Sequence, residues 1–233
     1  MARPFLSSNL FSVHGFCLMV ISSSLSDEQL LNAIHNSAIA YSRLVNQVFL
    51  LVGKNKGEEM LWFQCSFPKK NFMHLLGIKS TTLSADEFFE KAVQNNIGLS
   101  DCAASRKHNR STINEKCSCC EDLLDFNNAK YFRIGKKDNI SQFVDFAYSY
   151  GSSAILGFQT STDNLCYPIS LIPNDIEQFS SKTYRVIFVC SKDIESTTYH
   201  NPFIEIKKGL FSELLPSFPP ELKELFTQEN GPA

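Results

Sequence analysis

The sequence lacks two features that would assign a protein class at once: a membrane-spanning run and a strong net charge. After residue 24, no window has the run of about 18 apolar residues that a transmembrane helix requires. The net charge is −2 at pH 7, from 22 basic and 24 acidic residues. A nucleic acid would therefore have to be bound by a local basic patch, because the surface as a whole carries no positive excess.

The common nucleotide-binding and hydrolase motifs are absent as well. The sequence contains no G-x-x-x-x-G-K-[ST], no G-x-G-x-x-G, no H-E-x-x-H and no G-x-S-x-G. These absences disfavour phosphate-loop enzymes, dinucleotide-binding enzymes, zinc proteases and α/β-hydrolases.

Cysteine is present, but its spacing does not fit a zinc site. Eight cysteines in 233 residues are too dilute for a small disulfide scaffold. Cys117, Cys119 and Cys120 form one tight triplet with Cys102 upstream, whereas structural zinc sites pair their ligands on two separate knuckles. Cys117, Cys120 and Leu124 also share one face of a predicted helix, as core residues do. We expect reduced cysteines without metal, and the role of this segment stays open.

The composition predicts one domain with an extension at each end. Hydrophobic residues make up 43% of the chain and include twenty phenylalanines, enough for a substantial core. Residues 1–24 resemble a signal peptide only weakly, because their apolar run is short and no small-x-small cleavage site follows. We expect a loosely ordered extension at 1–24, a single domain at 25–198 and a proline-containing tail at 199–233. The expected location is intracellular, in the cytoplasm.

Helical patterns dominate the first half of the chain. A capping box at Ser26 begins an amphipathic pattern that predicts one long helix ending at Gly53. A second capping box at Ser84 begins another helix, and a third helical pattern covers about 114–129. Residues 58–66 predict a short strand between the first two helices.

Alternating apolar and polar residues dominate the second half. From residue 131 the period becomes two, and turn residues separate four predicted strands at 144–150, 154–158, 165–171 and 184–190. Short turns between them predict an antiparallel meander, whose apolar face the preceding helices can cover. The predicted fold class is therefore α+β, with N-terminal helices followed by a four-stranded antiparallel meander sheet.

The stretch from Phe67 to Lys79 (FPKKNFMHLLGIK) contains the best candidate for acid–base chemistry. Pro68 suits the first turn of a helix and Gly77 suits its C-terminal cap, which leaves room for about two turns. Lys70 and His74, four residues apart, would share one face. A titratable ring beside a cation on an anchored helix suits proton transfer. The alternative is a histidine at the edge of the core. The residues expected to anchor this helix are Phe72, Leu75 and Leu76.

A second candidate stretch runs from Tyr167 to Ser170 (YPIS). A proline within a strand belongs at an edge or a bulge, and alternation would place Pro168 and Ser170 on one face. If that face meets the helix carrying His74, a histidine and a hydroxyl converge; otherwise Ser170 lies on a solvated strand face. Cations for such a site could come from Lys79, Arg133, Lys136 and Lys137. A separate basic cluster around Lys107 is a further phosphate-binding candidate, although the pattern favours a solvated loop.

These stretches, in this order, resemble the phage- and mobile-element-associated branch of the barnase–EndoU–colicin–RelE-like nucleases. The resemblance covers roughly residues 58–192 and depends on the F-x-H-L-x-G-I run and the Y-P-x-S run. It implies helices followed by a sheet, and metal-independent RNA cleavage without a cofactor. It also implies a toxin-like or effector-like bacterial protein whose partners are RNA, with tRNA among the candidate substrates, and an immunity or regulatory protein.

The resemblance also implies roles for individual residues. His74 would be the acid–base residue, Ser170 a hydroxyl contacting phosphate, and Lys79 and Arg133 the cations that stabilise the transition state. Further substrate-binding residues would be Lys70, Tyr167, Lys136 and Lys137. Two other classes stay open: an RNA- or protein-binding module of the same fold with degraded catalysis, and a structural accessory protein.

Overall fold

The described part of the chain begins mainly with helices and continues mainly with strands. The protein is represented by a computed structural model, which describes residues 25–104, 109–137, 144–150, 154–172, 174–200 and 202–226. The helices are α1 (Asp27–Ser42), α2 (Phe72–Leu75), α3 (Ala85–Val93), α4 (Arg110–Leu124), α5 (Leu210–Leu214) and α6 (Pro220–Glu224). The strands are β1 (Gln47–Lys54), β2 (Met60–Ser66), β3 (Ile78–Lys79), β4 (Ala103–Ala104), β5 (Phe132–Lys136), β6 (Phe146–Tyr150), β7 (Ile155–Thr160), β8 (Cys166–Ile172), β9 (Thr183–Asp193) and β10 (Ile204–Glu205).

Two helices begin at the capping boxes that the sequence predicts. The Ser26 hydroxyl accepts a hydrogen bond from the Gln29 backbone N–H at 3.2 Å, and the Ser84 hydroxyl accepts one from Glu87 at 3.3 Å. In each box the side chain at the third position bonds back to the capping residue's N–H, so two otherwise unpaired donors are satisfied. The predicted extension at 1–24 and the basic residues 105–108 lie outside the described residues.

The prediction of one long first helix up to Gly53 is wrong in its second half. α1 ends at Ser42, Asn46 has a left-handed φ of 64°, and the chain continues as β1. Six of the eight residues of β1 are buried, because helices pack on one of its faces and the C-terminal segment packs on the other. A strand buried on both faces has a continuous apolar run, which periodicity cannot separate from a buried helix.

Eight strands form one sheet, in the order β1-β2-β8-β7-β6-β5-β9-β10. β1 also pairs with β9, so the first seven strands of this order close into a ring. β2 and β8 are parallel, joined where Cys65 lies opposite Cys166, and the other described pairings in this sheet are antiparallel.

The prediction of an α+β fold is confirmed, whereas the four-stranded meander is wrong. β6, β7 and β8 are consecutive antiparallel neighbours as predicted. The fourth predicted strand, β9, does not follow β8 in the sheet, because it pairs with β1 and β5 instead. β5 was not among the four predicted strands. It has only five residues, and a buried glycine interrupts its alternation of buried and exposed positions, so its sequence pattern is too short to identify a strand.

The main core lies between α1–α4 and one face of the sheet, called the inner face below. Two smaller clusters cover the outer face: one joins β1 and β9 to the C-terminal helices, and one lies over β6, β7 and β8. Phe211, Phe218 and Leu222 are buried in the first of these clusters. Residues 202–226, which the sequence assigns to the proline-containing tail, pack against this cluster. None of the helices that the structure describes is long and apolar enough to cross a membrane.

Candidate functional site

The stretch from Phe67 to Lys79 forms the short helix that the sequence predicts. Pro68 precedes a 3₁₀ turn at Lys69–Asn71, which leads directly into α2. Gly77 adopts a left-handed φ of 72° and donates its backbone N–H to the His74 carbonyl at 3.0 Å. Glycine is favoured there because a side chain would be strained at that φ. The three predicted anchors of this helix are fully buried: Phe72, Leu75 and Leu76.

Lys70 and His74 are both exposed. Lys70 lies in the 3₁₀ turn and His74 lies in α2, so the two side chains are four residues apart across the junction of these two segments. The His74 imidazole has no hydrogen bond or ion pair to any residue that the structure describes. A histidine at the edge of the core does not fit this exposure.

One side-chain hydrogen bond joins this helix to β8. The Asn71 side-chain amide donates to the Pro168 carbonyl at 2.9 Å. The register of β8 shifts here: Gly157 lies opposite Ser170, but the next residue, Phe158, lies opposite Pro168. Of the two alternatives that the sequence leaves open for the proline, an edge or a bulge, the structure has a bulge. The Asn71 amide connects the segment between Lys70 and His74 to the strand that carries Tyr167.

A groove of about 320 Å³ runs beside this helix, and we call it the lysine groove. Lys70 and Tyr167, both predicted to bind substrate, line it, as do Lys69, Asp86 and Gln47. Lys69 forms an ion pair with Glu90, and this pairing leaves Lys70 as the cation available for a ligand. His74 does not line the groove itself; it is exposed on α2, four residues after Lys70 in the sequence.

Ser170 does not meet His74. It is the cross-strand partner of Gly157, and a Cβ built on Gly157 would lie 2.9 Å from Val144 Cγ2, in the cluster on the outer face. α2 packs in the main core on the inner side. The bulge at residues 168–170 is the physical reason: it reverses the alternation, so Pro168 and Ser170 no longer share a face.

The other predicted cations are also separated from His74, except Lys79. Arg133 lies on β5, three strands from β8, and forms an ion pair with Glu177 at 2.9 Å. The Lys136 ammonium lies 5.8 Å from the centroid of the Phe146 ring, and the Lys137 backbone bonds to Asp145. Lys79 is exposed on β3, immediately after the helix and its glycine cap.

The cysteine triplet lies in α4. Cys117 and Cys120 face the core, as their spacing predicts, and Cys119 donates its thiol to the Glu115 carbonyl at 3.2 Å. Burial raises the pKa of Cys117 and of Cys119 to about 12 each. Among the described residues, no group of three or more His, Cys, Asp or Glu side chains could hold a metal ion.

Sequence reasoning missed three polar residues around the groove: Asn71, Asp86 and Gln47. Asn71 is part of the central stretch, but its hydrogen bond spans 97 residues of sequence, and no local pattern predicts such a contact. Asp86 reads from the sequence as an ordinary first-turn residue of α3, and Gln47 lay within the helix that was predicted in place of β1.

The described architecture is an α+β domain with a lysine-lined groove at the parallel junction of a closed sheet, beside a short helix that carries an exposed histidine. Residues 33–208, which are 176 of the 233 residues, match the model of a family described as phage-Barnase-EndoU-ColicinE5/D-RelE like nuclease4 (PBECR4). The chain therefore belongs to this nuclease family. The match confirms the resemblance and extends it beyond the expected 58–192 at both ends. No curated protein and no solved structure matches the chain.

Proposed function

We propose that the protein is a metal-independent endoribonuclease that cleaves RNA at the lysine groove. One observation carries the proposal: exposed Lys70 lines the groove beside Tyr167, and Asn71, which joins Lys70 to the helix that carries exposed His74, is hydrogen-bonded to β8. In a member of a nuclease family, such a segment supplies a cation for the phosphodiester and a titratable group for proton transfer.

The reaction we propose is internal transfer. The ribose 2′-oxygen attacks the adjacent phosphorus while a base takes its proton. The bond between phosphorus and the 5′-oxygen breaks, and an acid protonates the leaving oxygen. The products are a 2′,3′-cyclic phosphate and a free 5′-hydroxyl. Lys70 and Lys79 would offset the charge that develops on the phosphate oxygens.

His74 takes one of the two proton-transfer roles in this proposal. Asp86 takes the other, because it is the carboxylate among the residues lining the lysine groove. Tyr167 would hold the substrate. Ser170 and Arg133 have no part in it, because one lies on the outer face and the other is ion-paired three strands away.

The chemical nature of the 5′ ends of the cleaved RNA tests this proposal. Purified protein is incubated with single-stranded RNA in excess chelator, and the new 5′ ends are offered to polynucleotide kinase without prior dephosphorylation. The proposal predicts that they accept phosphate directly, because they are hydroxyls. New ends that must first be dephosphorylated would rule out attack by the 2′-oxygen.

A binding module with degraded catalysis is the second candidate, and one observation favours it. Arg133 and Lys136, expected near the site, lie on β5, and Lys137 directly follows that strand, which is three strands from β8 in the sheet. A module of this kind would bind RNA in the lysine groove and leave it intact. The same incubation separates the two candidates, provided that RNA binding is measured alongside cleavage.

A further inference from the structure

A second and larger cavity of about 520 Å³ lies between α1, the C-terminal end of α4 and the beginning of β1. We call it the aromatic cavity, because Phe49, Phe126 and Phe203 line it. Gln47 lines both this cavity and the lysine groove, so the two sites adjoin. Its volume lies within the range of small-molecule sites in proteins.

The aromatic cavity presents one exposed ring over two buried rings. Phe49 and Phe126 are buried and pack edge to face, with centroids 4.8 Å apart. Phe203 is 46% exposed, with its ring centroid 6.3 Å from that of Phe49. Its backbone N–H bonds to the Val189 carbonyl at 3.1 Å, which holds this part of the chain against β9. A fixed, exposed aromatic face of this kind is the platform on which nucleobases stack.

The charged residues of the aromatic cavity are mainly carboxylates. Three lining residues are carboxylates, Glu121, Asp122 and Asp125, against the single guanidinium of Arg43. Asp125 is held in place because its oxygens accept hydrogen bonds from the Asn127 backbone at 3.1 Å and from the Asn128 side chain at 2.8 Å. Carboxylates repel phosphate but accept hydrogen bonds from the amino groups of bases.

We infer that the aromatic cavity is a base-selecting subsite for RNA whose backbone lies in the lysine groove. The base it takes carries an exocyclic amino group, as adenine, cytosine and guanine do and uracil does not. The charges of the two sites favour different parts of a nucleotide. The ammonium of Lys70 attracts the phosphate to the lysine groove, whereas the carboxylates and the Phe203 ring of the aromatic cavity suit the base. This inference rests on the proposed function, since it assumes that RNA occupies the lysine groove.

Binding to uncleaved RNA tests the subsite separately from catalysis. The full chain with His74→Ala is titrated with short oligouridylates that contain one adenosine, cytidine or guanosine, or none. We expect the amino-bearing oligonucleotides to bind more tightly than oligouridylate. Adding Phe203→Ala should weaken their binding about tenfold, the order expected for losing one base–aromatic stack. Adding Asp122→Asn should reduce the preference over uridine, because the amide offers a weaker acceptor.

The matched control is Ile206→Ala, which also removes an exposed apolar side chain close to β10 but does not line the cavity. It should leave both affinity and preference unchanged. Equal binding of all four oligonucleotides, or a preference that survives Phe203→Ala, would overturn the subsite even if wild-type protein cleaves RNA. A preference lost with Phe203→Ala in a protein that never cleaves RNA would support the subsite and overturn the proposed catalysis instead.

Discussion

At the scale of single residues, Asn71 links the two elements that carry the candidate site through one amide hydrogen bond. Asn71→Asp keeps the shape but replaces the donor with a second acceptor facing the Pro168 carbonyl. We expect a small loss of stability, about 1 kcal/mol, and a larger loss of cleavage rate, roughly tenfold or more, because a catalytic group displaced by a fraction of an ångström transfers protons poorly.

The measurement is kcat and KM for RNA cleavage beside a thermal melt. Asn96→Asp makes the same chemical change at an exposed position just after α3 and should leave both unchanged. Wild-type kcat in a folded Asn71→Asp protein would contradict the positioning role.

The thiols of α4 give a prediction about pH. The pKa of Cys117 and of Cys119 rises from the usual 9.0 to about 12 on burial, so between these values the unfolded chain loses thiol protons that the folded chain keeps. The free energy of unfolding should therefore fall as the pH rises above about 9. Urea unfolding followed across this range checks it. Replacing both residues with serine should flatten the decline, and an unchanged decline would show that other groups cause it.

The burial of the α4 thiols also predicts how they react with an alkylating reagent and that they hold no zinc. Alkylation at neutral pH should leave Cys117 and Cys120 unmodified in the folded protein and modify them after unfolding, because the buried thiols are protonated and inaccessible. Elemental analysis of the purified protein should find no stoichiometric zinc. One equivalent of tightly bound zinc would contradict this assignment of the cysteines as core residues.

At the scale of elements, the C-terminal helices complete the fold. Phe218 is buried against the outer face of β9, with its ring centroid 5.6 Å from that of Phe188. Phe218→Ala should lower the free energy of unfolding by about 3–5 kcal/mol, as large-to-small changes in a core do. The control Ile206→Ala, at a 37% exposed residue, should cost far less. A similar cost for both variants would mean that this segment does not pack as described.

The elements show what the sequence can and cannot predict. Local signals placed the helix starts at Ser26 and Ser84 and the helix end at Gly77, because caps are decided by neighbouring residues. β1 was mistaken for helix because its burial on both faces comes from distant segments. The sequence predicts an edge or a bulge at Pro168 but not the consequence of the bulge for Ser170, because a shift of one residue reverses which face a side chain occupies.

At the scale of the whole molecule, the charge is nearly balanced, so binding to RNA must come from local groups. Cleavage should weaken as salt rises, since each phosphate contact made by a lysine releases counterions, but the slope should be shallow because few lysines take part. Cleavage should persist in excess chelator. Activity lost in chelator and restored by magnesium would rule out the proposed mechanism.

The central claim is that His74 acts in chemistry and not in folding. Its side chain is exposed while the adjacent Leu75 is fully buried, so two neighbouring substitutions should separate the two roles. His74→Ala should change stability by no more than about 1 kcal/mol, whereas Leu75→Ala should cost about 2–5 kcal/mol. Losing a general acid–base group typically lowers a rate by about 10²–10⁴.

The decisive measurement follows thermal melting and RNA cleavage on the same preparations of wild type, His74→Ala and Leu75→Ala. We expect a near-normal melt with lost cleavage for His74→Ala, and a lowered melt with activity per folded molecule retained for Leu75→Ala. A His74→Ala protein that melts normally and cleaves RNA at the wild-type rate would contradict a catalytic role for His74, and the binding module would then be the favoured function.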